Sequence, residues 1–198
     1  MSAVTIGTML IKDVRDEAFM SWQASRSRNE RRRDRGDADE VVIRRELRPG
    51  DTERIVELHD ELYRREYDRN DAFVDAVRTK LQAAVEAGWP RGGGVWLAER
   101  GGQVLGSVAL TDEGGGEGRI RWVLLHPSLR GRGLGRRMVG EAVARARELG
   151  MRKLTLDTFS DLRAAARIYR SLGFRVVSER ERDDWGPTIN YQVYELEL

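Results

Sequence analysis

One short stretch of the chain concentrates the residue types that bind phosphate. A strand-like apolar run leads into Pro127. Then come Arg130, Gly131, Arg132, Gly133, Leu134, Gly135 and Arg136, where a helical pattern begins. A helix start presents unpaired N–H groups and partial positive charge, and glycine lets the backbone approach an anion closely. Arginines at that end are disfavoured by roughly a few tenths of a kcal/mol each. Arg132, Arg136 and Arg137 crowded there therefore predict a seated polyanion. The plainer alternative is a glycine turn with solvated arginines. Two rival phosphate motifs are excluded. The dinucleotide fingerprint G-x-G-x-x-G fails because Arg136 or Met138 stands at its third glycine, and no G-K-[ST] follows to make a P-loop.

The flanking elements can be read from periodicity. Val41–Leu47 predicts a strand, closed by Pro49 and Gly50. Asp51 or Thr52 can cap a helix carrying Ile55, Leu58 and Leu62 on one face, and Asn70 a second with Phe73, Val77, Leu81 and Ala84. Val95–Glu99 and Val104–Thr111 predict strands joined by a tight turn at Gly101 and Gly102. The glycine-rich residues 112–118 predict a flexible loop, and Arg119–Leu125 a third strand of this series. Leu134, Met138, Ala142, Ala146 and Leu149 recur at helical spacing, with Gly150 as terminator. Lys153–Thr158 follows as a strand. A helix opened by Ser160 or Asp161 bears Leu162, Ala165, Ala166, Tyr169 and Leu172. Phe174–Arg182 and Asn190–Leu198 complete the strands. The order β-α-α-β-β-β-α-β-α-β-β predicts an α/β fold: a mixed, mostly antiparallel central sheet flanked by helices.

Composition bounds the chemistry. The 198 residues carry 35 Lys+Arg against 33 Asp+Glu, a net charge of +2, with no cysteine and two histidines. Disulfides, thiolate metal sites and a cysteine nucleophile are excluded, and no metal site is expected. No apolar run approaches the ~18 residues needed to span a bilayer, and the N-terminus lacks a signal pattern. The expectation is a cytoplasmic protein without a membrane partner. Composition shifts near residue 40. Residues 23–40 hold almost no apolar side chain, so residues 1–40 read as a partly disordered extension and 41–198 as the domain. Acids interleave with the arginines of Arg26–Arg35, and no aromatics alternate with them, which argues against nucleic acid. Exposed sheet edges leave a homodimer open.

Two motifs carry a resemblance. Arg130 to Gly135 fits R-x-x-G-x-G, and Ala165 to Phe174 fits A-x-x-x-Y-x-x-x-G-F. In this order, separated by a helix and a strand, they resemble the GNAT N-acetyltransferases over roughly residues 41–198. Glu57–Tyr67 and Tyr191–Leu198 are most similar to the acetyltransferase domains fused to MarR-type regulators. The resemblance implies acetyl-CoA as co-substrate and a small-molecule or protein amine as acceptor. It implies that backbone groups from Arg130 through Gly135, with Arg136 beside them, hold the pyrophosphate. Leu124 and Leu125 would pair with the pantetheine arm and polarise the thioester carbonyl. Tyr169 would face the sulfur as acid; its alternative is a core tyrosine. Leu162 replaces an asparagine that many relatives carry.

The general base is not singled out by the residues. Glu117 is the acid nearest the position relatives use, which Arg119 occupies here. His126, Glu66 and Asp157 are the other candidates. Tyr63, Tyr67 and the loop Asp183, Asp184, Trp185 would flank the acceptor, and the two acids beside a tryptophan predict attraction of an ammonium group. With no cysteine, the expected reaction is direct attack on acetyl-CoA in a ternary complex. The alternative is an acyl-CoA-binding sensor or regulatory module without turnover.

Overall fold

Residues 40–198 are described by the structure, a computed structural model. The expected extension falls almost entirely outside them. The chain forms β1 (Val41–Arg44), α1 (Asp51–Tyr67), α2 (Asp71–Glu86), β2 (Gly94–Arg100), β3 (Gln103–Gly114) and β4 (Glu117–Leu125). After a 3₁₀ turn (Pro127–Leu129) come α3 (Leu134–Glu148), β5 (Lys153–Phe159), α4 (Arg163–Ser171), β6 (Arg175–Arg182) and β7 (Ile189–Glu197). The strands make one seven-stranded sheet in the order β1-β2-β3-β4-β5-β7-β6. Only β4 and β5 run parallel, because α3 makes the crossover between them.

Two apolar layers sandwich the sheet. On one face Met138, Ala142 and Ala146 of α3, with Ala166 and Tyr169 of α4, pack against Leu110, Leu154, Leu156 and Tyr194. On the other, Ile55, Leu58 and Leu62 of α1 and Phe73, Val77 and Leu81 of α2 pack against Val95, Leu97 and Trp122. The helical stripes read from the sequence are these buried faces.

Boundaries shift for local reasons. β1 stops at Arg44, short of Leu47, because the Arg44 guanidinium turns to Asp51 (2.7 Å) and Glu99 (2.8 Å) as the chain bends. Gly50, not Asp51 or Thr52, caps α1; Asp51 is instead held by Arg44 and the Arg48 N–H. α4 starts after Leu162, one turn later than Ser160. The expected flexible loop at 112–118 is a tight hairpin: Gly114, Gly115 and Gly116 all take positive φ, so β3 and β4 extend to the turn.

The strand order hides a discontinuity. β4 and β5 pair only over Glu117–Ile120 with Lys153–Leu156. Beyond that they diverge. At the same place β4 is bulged: Trp122 and Val123 oppose the single residue Val108, and Trp122 has φ 46°. Residues two apart on a strand share a face, yet Ile120 lies in the α3 layer and Trp122 in the α1 layer. The bulge flips the alternation and turns the end of β4 away from β5.

Candidate functional site

The fork between β4 and β5 opens into a cavity of about 700 Å³ that passes through the sheet. Its lining runs from Gly131, Gly133 and Gly135, past Leu125, Thr158 and Tyr169, to Tyr63, Phe73 and Trp185 on the α1–α2 face.

The α3 end of the cavity is made of backbone. Pro127 starts the 3₁₀ turn, and His126 caps it by accepting from the Ser128 N–H. Gly131 (φ 78°) and Gly133 (φ 74°) then take the left-handed conformation, with open space where a side chain would stand. The first helical bond is Arg137 N–H to Gly133 O, 3.0 Å, and no side chain caps the helix. The N–H groups of Leu134, Gly135 and Arg136 are thus ahead of the ladder, at the positive end of the dipole. Gly135 has a second reason to be small. A Cβ there would sit 3.3 Å from both Leu125 Cδ1 and Ile168 Cδ1, so its smallness lets α3 meet β4 and α4.

Two of the expected backbone contacts are corrected. The Arg130 N–H donates to Pro127 O, and its side chain is bound to Leu125 O (2.8 Å) and, bidentately, to Glu66 (2.7 and 3.1 Å). Arg130 therefore ties the loop to α1. On β4, the His126 N–H donates to Leu105 O of β3. Strand alternation then points Leu124 toward β3 as well, and turns Val123 and Leu125 toward the fork. Arg136 bonds to Ser171 of α4, and Arg132 has no ion-pair partner among the described residues.

Tyr169 lies where the fork meets α4. Its ring packs with Phe174 and Tyr194, so the core reading of this residue holds for the ring. Tyr169 lines the cavity, and its hydroxyl has no hydrogen-bond partner among the described residues. Burial pushes the phenol well above its ordinary pKa, aided by Tyr63 and Tyr194, so it stays protonated and can donate. Thr158, also on the cavity wall, has a buried hydroxyl without a partner.

The α1–α2 side is made of aromatic side chains. Tyr63 stacks on Phe73 at 4.7 Å, and Phe73 meets Trp185 edge-on at 5.5 Å. His59, which the sequence offered only as one of two histidines, is buried among them. Its Nδ1 lies 2.7 Å from Ile55 O, an acceptor, so Nδ1 carries the proton and Nε2 is the free acceptor. Burial lowers its pKa to about 4, so the ring is neutral. The expected ammonium trap is already filled from within. Arg182 lies 3.8 Å over the Trp185 ring and pairs with Asp184.

The comparisons settle the family. A model described as the acetyltransferase (GNAT) family matches residues 53–174, more than half of the chain. The chain belongs to the acetyltransferase (GNAT) family. This GNAT-family chain is 32% identical over 82 residues to the uncharacterized N-acetyltransferase YjgM of Escherichia coli, covering 40% of the chain and 49% of that protein. It is 34% identical over 104 residues to a mycothiol acetyltransferase of Cellulomonas flavigena, covering 48% of the chain and 30% of the relative. It therefore spans less than half of either. Among solved structures, yncA from Salmonella typhimurium with its cofactor acetyl-CoA superposes with TM-score 0.61 at 23% identity, over 81% of this chain and 95% of that one. A ribosomal-protein-alanine N-acetyltransferase from Brucella melitensis gives 0.63 at 19%, over 79% and 99%.

The acids offered as base of this GNAT acetyltransferase separate cleanly. Glu117 is corrected: it pairs with Lys153 at 2.7 Å beside the β3–β4 turn, about 25 Å of strand away from Leu125, and does not line the cavity. Glu66 is held by Arg130. His126 is engaged with Ser128. Asp157 alone of the four lines the cavity, at the fork, paired with Arg119 and beside Tyr191, whose pKa burial and that carboxylate raise to about 12. No helix among the described residues is long and apolar enough to cross a membrane.

Proposed function

We propose that this acetyltransferase moves an acetyl group from acetyl-CoA to a primary amine by direct attack in a ternary complex. The observation that carries this is the continuous cavity from an uncapped, glycine-flanked helix start, through the fork, to an aromatic chamber. The cavity suits a long ligand with an anionic end. Free N–H groups wait at α3, the fork has an unpaired strand edge, and Thr158 has an unanswered hydroxyl.

The residues then divide the work. Gly131 through Arg136 receive the pyrophosphate on their N–H groups, with Arg132 adding charge. Val123 and Leu125, displaced toward the fork, present peptide groups along the thioester arm. The bulge at Trp122 aims the Val123 N–H at the carbonyl oxygen, where charge grows during attack. Tyr169, neutral and buried, donates to the departing sulfur. An alkyl ammonium with pKa near 10 must lose its proton before attack. Asp157 at the fork and the Nε2 acceptor of His59 are the groups placed to receive it, directly or through water. The likeness of Glu57–Tyr67 and Tyr191–Leu198 to regulator-fused acetyltransferase domains concerns chamber walls, and belongs to this reading as a proposal about acceptor type.

Thiol release from acetyl-CoA across a broad amine panel tests the reading. Release that depends on an amine is expected. Tight CoA binding with no amine-dependent release anywhere would replace it with the non-catalytic sensor.

A further inference from the structure

The cavity opens on the α2 side into a second, polar hollow; Lys80, Arg121, Asp157 and Tyr191 line both. Five cationic side chains line this vestibule against three carboxylates. Two of the carboxylates are already neutralised. Glu113 binds Arg121 at 3.1 and 3.2 Å, and Asp157 binds Arg119. The third, Asp112, accepts from its own turn at the Gly114 N–H, and Arg91 turns back to Gly88 O.

Lys80 and Arg180 remain, with no ion-pair partner among the described residues, both lining the hollow together with Tyr191. Arg180 reaches the Tyr191 ring, 5.1 Å from its centre. Lys80 feels partial burial and the crowding of Arg121, Arg182 and Arg119, which together lower its pKa against the single pull of Asp157. The Arg119 Nε is buried without an acceptor, 3.8 Å from a Glu113 carboxylate oxygen. A small anion in the hollow answers the two cations, Lys80 and Arg180, that no carboxylate engages.

The opposite ligand is disfavoured by the same surface. Of the loop residues that could draw a polyamine or other dication, Arg182 already holds Asp184 and the Trp185 face. We propose that the acceptor amine also carries an anionic group, a carboxylate or a phosphate, held in the vestibule by Lys80 and Arg180 while its amine passes to the fork. An apolar portion of the acceptor then lies against Phe73, Tyr191 and Trp185. This rests on the acetyl-transfer reading and specifies its substrate class.

The test pairs each anionic amine with its neutral counterpart under saturating acetyl-CoA: free amino acids against their carboxamides, phosphoethanolamine against ethanolamine, with spermidine added. The anionic member should be preferred in kcat/KM by about tenfold or more, as for a hydrogen-bonded ion. In Lys80→Gln and Arg180→Gln, checked for folding by thermal melt, that preference should fall about tenfold, and further in the double variant. Calorimetry of the N-acetylated acid and N-acetylated amide on the CoA complex gives the same comparison without turnover. Carboxamides or spermidine outperforming the anionic amines, or an undiminished preference in the folded double variant, would overturn the anion site and leave acetyl transfer standing. Absence of turnover with every amine, together with no preference in product binding, would remove both.

Discussion

The two ends of the cavity are made of different material. Toward α3 the wall is main chain: glycines at positive φ, an uncapped helix start and a strand edge without a neighbour. Toward α1 and α2 it is side chains from several separate elements, aromatic inside and charged at the rim. A main-chain wall reads any ligand with the same phosphate and amide groups. A side-chain wall changes with each substitution and so sets which acceptor enters. One end is suited to an invariant co-substrate and the other to a particular partner.

The largest expected effect lies in the main-chain half. Gly133→Val places a β-branched residue at φ 74°, a conformation costing it roughly 1–3 kcal/mol, so the loop must move. Acetyl-CoA affinity by calorimetry should fall by up to about 100-fold. Gly135→Val should act in the same direction by pushing α3 off Leu125 and Ile168. Unchanged affinity in folded Gly133→Val would take this loop out of the site.

Next comes Tyr169→Phe, which keeps the ring packing and removes only the hydroxyl. Loss of a positioned acid predicts a drop in kcat of about 10²-fold, mirrored in kcat/KM, with acetyl-CoA binding retained. Because burial raises the phenol pKa, the acid form persists as pH rises, and the wild-type kcat profile should show no descending limb at pH 9 to 10 from this group. A limb that vanishes in Tyr169→Phe, or a wild-type rate when chemistry limits turnover, would return Tyr169 to a packing role.

A smaller change is expected from Glu66→Gln, which loosens the clamp on Arg130. Half-exposed pairs are worth about 0–1 kcal/mol, so KM for acetyl-CoA should rise about two- to fivefold and lose part of its salt dependence. The smallest effects test what lies outside the site. Glu117→Gln should leave kcat within about twofold of wild type, since its exposed pair with Lys153 is remote from the cavity. Removing residues 1–40 should leave acetyl-CoA affinity of the remaining domain close to intact, because every described strand and helix begins at Val41 or later. An insoluble truncation would show that the extension belongs to the core.

The same division explains what could be read from the sequence. The glycine turn ahead of α3 was legible because left-handed backbone favours glycine, and Gly131 and Gly133 take it; that it receives phosphate is part of the proposal. The helices were legible from stripes such as Met138, Ala142 and Ala146. The bulge was not, because Trp122 is an ordinary strand residue by type and nothing in the residues beside it marks its left-handed backbone. Without the bulge, Leu124 was credited with a direction that belongs to Val123. Glu117 was nearest in sequence and remote in space, since β4 carries it to the far end of the sheet. His59, Lys80 and Thr158 gave no signal beyond composition; their roles arise where α1, α2 and β5 meet. Asp184 and Trp185 misled because their partner, Arg182, comes from the same hairpin and answers both.

The short pairing of β4 with β5 has a consequence for how the molecule holds together. Four residue pairs, with the Arg152 N–H bond to Gly116 O beside them, join a β1–β4 block to a β5–β7–β6 block, and beyond Ile120 the two strands diverge. Such a sheet is two cooperative units stitched at one corner and backed by helices. Hydrogen exchange in the ligand-free protein should find the amides of Val123 and Leu125 fast, although they lie in the middle of the strand order. A ligand lodged across the seam adds its binding energy where the blocks are least joined: at 100 times its dissociation constant, about 2.7 kcal/mol. On the proposed reading the co-substrate is also a structural member, bracing the line where the two blocks are least joined.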